Sequence, residues 1–145
     1  MPDTLADATR QTADLVKTIF IEASPQVVWD YLTRAEHLAK WFQETAEDLA
    51  PGASYTMVRD GERVLWGEVL DWQPPERLVT TFTVGPMEGR SSTVEWVLEP
   101  VVHGTRLTLT HRGVVPADAQ QLPLLAHLDI GWDKHLARLR EAAAA

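Results

Sequence analysis

Apolar and polar positions alternate through "LVKTIFIEA" (residues 15–23): Val16, Thr18 and Phe20 fall on one side, Lys17, Ile19 and Ile21 on the other. That is the period of a strand, and because both sets hold apolar groups the strand is expected to be covered, at least in part, on both faces. The period then changes. In "SPQVVWDYLT" Ser24 supplies an N-cap hydroxyl and Pro25 occupies the first helical position, where no amide partner is missed. Val28, Tyr31 and Leu32 share one side of this helix with Trp29 beside them, and a second short helix over "AEHLAKWF" aligns Leu38, Trp41 and Phe42 at spacings of three and four.

From Pro51 onward the punctuation is that of a meander. Pro51-Gly52, Asp60-Gly61, Pro74-Pro75, Gly85-Pro86 with Gly89, and His103-Gly104 separate segments rich in Val, Leu, Thr, Trp and Phe. Strands are predicted near 46–50, 53–59, 63–72, 77–84, 91–99 and 105–112, with Asp60-Gly61 as a two-residue hairpin turn. A long helix is predicted from Ala117 to Ala143, because Leu125, Leu128, Trp132, Leu136 and Leu139 recur every three to four residues. Pro123 bends it or marks where its continuous part begins. Seven strands and one amphipathic helix pack sensibly in one way: an α+β fold with a curved antiparallel sheet wrapped around the last helix, and the two short helices closing one end.

Composition narrows the function. At 145 residues and 45% hydrophobic the chain reads as one domain, over residues 14–143, preceded by a flexible arm over 1–13. A net charge of −8 with no basic run disfavours nucleic acid. No signal sequence and no membrane-spanning stretch stand out, so a cytoplasmic protein without membrane insertion is expected. The absence of cysteine removes disulfides, thiolate nucleophiles and Cys-ligated zinc. His127 and His135, eight apart on the last helix, form no metal-binding unit, and no metal site is expected. His37 and His103 read as a helix-surface position and a turn. No phosphate-cradling loop or Gly-x-Ser-x-Gly elbow is present, and no cofactor is expected.

Four segments in order, "IFIEASPQVVWDYLTRAEHLAKWF", "PPERLVTTF", "STVEWVLEPVVHGTRLTLTHRGV" and "GWDKHLARL", resemble the Activator of heat-shock-protein-90 ATPase homologue (AHSA-like) family of the START-like, polyketide-cyclase-like (SRPBCC) helix-grip superfamily. The likeness runs over about residues 14–141. It implies a deep cavity between the sheet and the C-terminal helix, used across the superfamily for lipids, sterols, polyketides and other apolar molecules. It also suggests that Trp29 and Trp132 are packing positions. The fold alone does not imply one activity.

Strand alternation supplies candidates for the cavity wall. Val94, Trp96 and Leu98 form one inward row, Leu107, Leu109 and His111 a second, and Leu78, Thr80, Phe82 and Val84 a third. For "RVLWGEVLDW" the more apolar row is Val64, Trp66, Glu68, Leu70 and Trp72, although it carries a carboxylate inward. Ligand contacts are accordingly expected from Trp41, Phe42, Trp66, Phe82, Trp96, Leu109, His111 and Leu128, with Trp41 at the mouth. His111, Glu68 and Tyr55 are weak catalytic candidates: an imidazole titrating near neutrality, a carboxyl whose pKa burial would raise, and a phenol. A satisfied core histidine and a solvated glutamate are the competing readings. The leading function is binding of a small hydrophobic or aromatic molecule. A cyclase, aromatase or hydrolase-like enzyme using the same cavity is the alternative, and a chaperone ATPase-stimulating protein ranks third. A homodimer is left open.

Overall fold

In the computed structural model, which describes residues 13–87, 90–114 and 122–145, strand β1 (Ala13–Ile21) leads directly into helices α1 (Pro25–Thr33) and α2 (Ala35–Trp41). The start of α1 follows from its first residues: Ser24 Oγ accepts from the Val27 amide at 3.3 Å and Pro25 opens the helix. Strands β2 (Glu44–Thr45), β3 (Ser54–Arg59), β4 (Glu62–Gln73), β5 (Arg77–Phe82), β6 (Ser92–Val101) and β7 (Gly104–Val114) follow, and helix α3 (Leu122–Ala144) closes the chain. The sheet is antiparallel with seven strands in the order β1-β7-β6-β5-β4-β3-β2. Asp60 and Gly61 both adopt positive φ in the β3–β4 turn, as the dipeptide predicts. The α+β helix-grip arrangement read from the sequence is the one observed.

The core lies between the concave face of the sheet and the stripe Trp132, Leu136, Leu139 and Ala143 of α3, with Leu125 and Leu128 packed at its edge. The inward rows of the central strands hold Val94, Trp96 and Leu98, then Leu107, Leu109 and His111, then Leu78, Thr80 and Phe82, all buried as expected; Val84, expected in the last row, lies beyond the end of β5 and is half-buried. Pro123 stands at the start of the described helix, where a missing amide costs nothing. The helix start expected at Ala117, and most of the expected arm over 1–13, lie outside the described residues. Ala13 belongs to β1.

Three local expectations are corrected. Residues 46–50 form no strand, and the strand of that region is Glu44–Thr45. Their polar groups are used elsewhere: Asp48 Oδ1 accepts from the Ala35 amide at 2.8 Å, capping α2 from outside, and the Leu49 amide donates to the Thr33 carbonyl at 2.8 Å. The outer face of β1 is uncovered, leaving Val16 and Phe20 exposed at 62% and 59%. Its inner face carries Lys17 to α3, where the ammonium pairs with Asp129 at 2.5 Å and Asp133 at 3.0 Å.

The third correction concerns β4. Its buried positions are Leu65 and Val69, while Glu68 is exposed and Leu70 is 58% exposed. A bulge between Val69 and Asp71 shifts the phase, so that Trp72 packs edge-on against Trp29 with ring centroids 5.1 Å apart. Gly67 is fixed by close approach, since a Cβ there would lie 2.2 Å from the Thr81 carbonyl oxygen.

Candidate functional site

Most of the space expected for a deep cavity is filled by the protein's own aromatic rings. Trp132 of α3 is the hub: its ring centroid lies 5.6 Å from Phe42, 5.8 Å from Phe82 and 5.7 Å from Trp96. Trp41 stacks on Phe42 at 5.0 Å and meets Trp96 edge-on at 6.0 Å. These offset and edge-to-face contacts are the preferred aromatic geometries. Trp41 is 2% exposed and its indole N–H donates to the Tyr31 carbonyl at 2.7 Å. It is a core residue at this point of the fold rather than the mouth of a cavity. The void left among Trp41, Trp96, Tyr55 and their neighbours measures about 30 Å³, room for one water.

His111 is locked within the same core. Trp132 Nε1–H donates to His111 Nδ1 at 3.0 Å, so the proton of the neutral ring sits on Nε2 and is given to Ser92 Oγ at 2.6 Å. Ser92 in turn donates to the Phe82 carbonyl at 3.0 Å. The chain of donors ends on a backbone oxygen, and both ring nitrogens are occupied. Burial pushes the His111 pKa down to about 4, with the Asp14 carboxylate acting weakly against it. A fully enclosed neutral imidazole with no open lone pair is not placed to take a proton from a ligand.

The other two catalytic candidates are likewise committed or remote. The Tyr55 hydroxyl donates to the Thr81 carbonyl at 2.6 Å, and burial pushes its pKa up to about 12. Glu68 points away from the core into solvent. Trp66 also lies on the outer face, half-buried beneath Arg63, whose guanidinium sits 3.8 Å from the ring centroid. Leu109 is fully buried and, like His111, borders neither the small void nor the cleft described next.

An open cleft of about 230 Å³ lies beside this core, between the ends of β3, β4 and β5 and the first half of α3. Phe42, Val64, Leu65, Phe82, Leu124, Leu128 and Trp132 form its apolar walls, and Gln43, Arg59, His127 and His135 supply its polar groups. Phe42, Phe82 and Leu128 are thus expected ligand contacts that meet in the cleft. His135 Nδ1 lies 3.2 Å from the Trp41 carbonyl. A carbonyl only accepts, so Nδ1 carries the proton and Nε2 presents a lone pair. Burial lowers the His135 pKa, the Trp41 carbonyl opposes that, and the nearby charges of Arg138 and Arg59 lower it further.

Gly131 also lines the cleft, in the middle of the 23-residue α3. A Cβ built on it would meet nothing within 4 Å. Its backbone is ordinary helix, so neither a turn nor a close approach requires glycine there. Gly131, Arg59 and His135 were missed by strand-row reasoning. An unexplained glycine inside a strong helical pattern was the available signal.

Among the described residues no three His, Asp or Glu side chains gather as a metal site, and no helix is long and apolar enough to cross a membrane. Comparison with solved structures gives the same architecture repeatedly. The protein MLL2253 from Mesorhizobium loti superposes with a TM-score of 0.79 at 23% identity, covering 90% of this chain and 96% of that one. CalU16 from Micromonospora echinospora gives 0.73 at 24%, covering 92% and 77%. The Aha1 dimer from Colwellia psychrerythraea gives 0.77 at 20%, covering 91% and 96%. No curated protein sequence matches the chain. The family described as Activator of Hsp90 ATPase homolog 1-like protein matches residues 22–144, nearly the whole of the described fold, and the chain belongs to that family.

Proposed function

We propose that the protein binds a small apolar or aromatic molecule in the cleft between the β3–β5 ends and α3. The observation that carries this reading is Gly131. A mid-helix glycine costs about 1 kcal/mol relative to alanine, and here nothing steric demands it. A position that gives up helix stability to keep space open beside Phe42, Phe82, Leu128 and Trp132 fits a site for another molecule. The cleft is small. An apolar protein cavity of about 150 Å³ holds one benzene, so 230 Å³ suits a body of roughly nine non-hydrogen atoms on the same filling. A sterol or tetracyclic polyketide would extend out of the open cleft, so the enclosed part of the occupant is a single or fused small ring or a short chain.

The enzyme alternative loses its three named residues, because His111 and Tyr55 are occupied and Glu68 faces outward. A protein-interaction reading ranks second. Exposed Val16 and Phe20 on β1 favour it, as do the family's description as a chaperone ATPase activator and the dimer formed by the Colwellia protein. Sedimentation velocity separates the two readings: a dimer whose formation is abolished by Phe20→Lys supports a self-interaction through β1. A monomer whose melting temperature rises with concentration of indole or 2-naphthol supports the cleft.

A further inference from the structure

The polar part of the cleft is one-sided. Its charged and titratable lining groups are Arg59, His127 and His135, and no carboxylate borders it among the described residues. That is against the run of the composition, in which 21 acidic residues face 13 Lys and Arg. Arg59 is held at the rim by Gln43, whose Oε1 accepts from its Nε at 3.3 Å. The hydrogen bond uses the edge of the guanidinium and leaves the terminal nitrogens to face a partner. Among the described residues Arg59 forms no salt bridge. Glu44 and Asp60 border an adjoining open depression of about 300 Å³ that shares Phe42, Gln43 and Arg59 with the cleft. Some other surface arginines are neutralised: Arg77 and Arg112 converge on Glu95, and Arg106 pairs with Glu99. Arg63 and Arg140, like Arg59, pair with no carboxylate among the described residues and are engaged by the Trp66 ring and the Phe20 carbonyl instead.

We infer that the cleft takes an amphiphile with one acidic group, its apolar body lying against Phe42, Phe82, Leu128 and Trp132 and its carboxylate on Arg59 at the rim. The inference rests on the proposed cleft and adds the charge of the occupant. A guanidinium pre-oriented by a neutral amide is suited to a planar carboxylate, which it can engage through two parallel hydrogen bonds. The apolar floor ends in a cationic rim, so a ligand of either neutral or positive character would leave the rim unmatched.

The test is a charge series on one skeleton: 3-phenylpropanoate, 3-phenylpropan-1-ol and 3-phenylpropylammonium, titrated at pH 7 into ¹⁵N-labelled protein and followed by amide shifts. The acid is expected to bind about tenfold more tightly than the alcohol, with the ammonium weakest. Arg59→Met, a change at an exposed position, is expected to remove that preference by bringing the acid's affinity down to or below that of the alcohol. Equal binding of all three in the wild type would overturn the acidic-ligand inference and leave the cleft as a binding site. Binding of none would overturn both.

Discussion

Replacing Gly131 with alanine is expected to stabilise the protein. The helix gains about 0.8–1.0 kcal/mol from the change in propensity, and the new methyl meets no atom within 4 Å, so no steric cost opposes the gain. With a urea m-value of about 2 kcal/mol/M, about 1 kcal/mol moves the unfolding midpoint up by roughly 0.5 M with the slope unchanged. For a domain of this size the melting temperature rises by about 3–4 °C. Tryptophan fluorescence follows the transition directly, since Trp132 lies one residue from the substitution, Trp96 packs on it and Trp41 packs on Trp96. A midpoint that falls would mean that the Cβ position is occupied or that α3 is not helical there. Either result would remove the argument that helix stability is given up for open space.

Two further outcomes test the core. The His111 pKa is lowered from its unfolded value near 6.5 to about 4, so its neutral form stabilises the fold fully above about pH 6.5. As the pH falls through the window to about 4 the unfolded chain binds the extra proton and about 3 kcal/mol of stability is lost. Ring NMR shifts should show His111 neutral with the proton on Nε2 down to about pH 5, and a ring titrating near 6.5 would contradict the Trp132–His111–Ser92 chain. Gly67→Ala forces a methyl to within 2.2 Å of the Thr81 carbonyl oxygen and is expected to destabilise by about 2 kcal/mol. Unchanged urea unfolding would show that β4 and β5 do not approach as closely as described.

The sequence made the central strands legible because β5, β6 and β7 each have neighbours on both sides and a dominant apolar row, so alternation maps cleanly onto inward and outward in β6 and β7 and is blurred in β5 only by the buried Val79. The lid helices were legible from Ser24-Pro25 and the Leu38, Trp41, Phe42 spacing for a similarly local reason. β4 was not, because the bulge at Leu70 is a property of its pairing with β5, and a phase shift is invisible in one strand read alone. The inward carboxylate required by the row of Trp66 and Glu68 was the warning. Residues 46–50 misled because Asp48 and Leu49 spend their polar groups on the lid, a long-range contact that no window of sequence contains. The cleft itself escaped because a cavity is a difference between two volumes. Trp41, Trp66 and Trp96 read equally well as a lining or a filling, and only the packing of Trp96 between Trp41 and Trp132 decides for filling.

The most direct measurement of the central claim is an amide-shift titration of the wild type and Gly131→Leu with indole and 2-naphthol. Leucine at 131 projects into the cleft from a helix that tolerates it. Saturable shifts clustered at Leu65, Phe82, Leu128 and Trp132 in the wild type, lost in a Gly131→Leu protein that remains folded, are the expected result. Binding that survives in the leucine variant, or no saturable shifts in the wild type, would contradict a ligand site in this cleft.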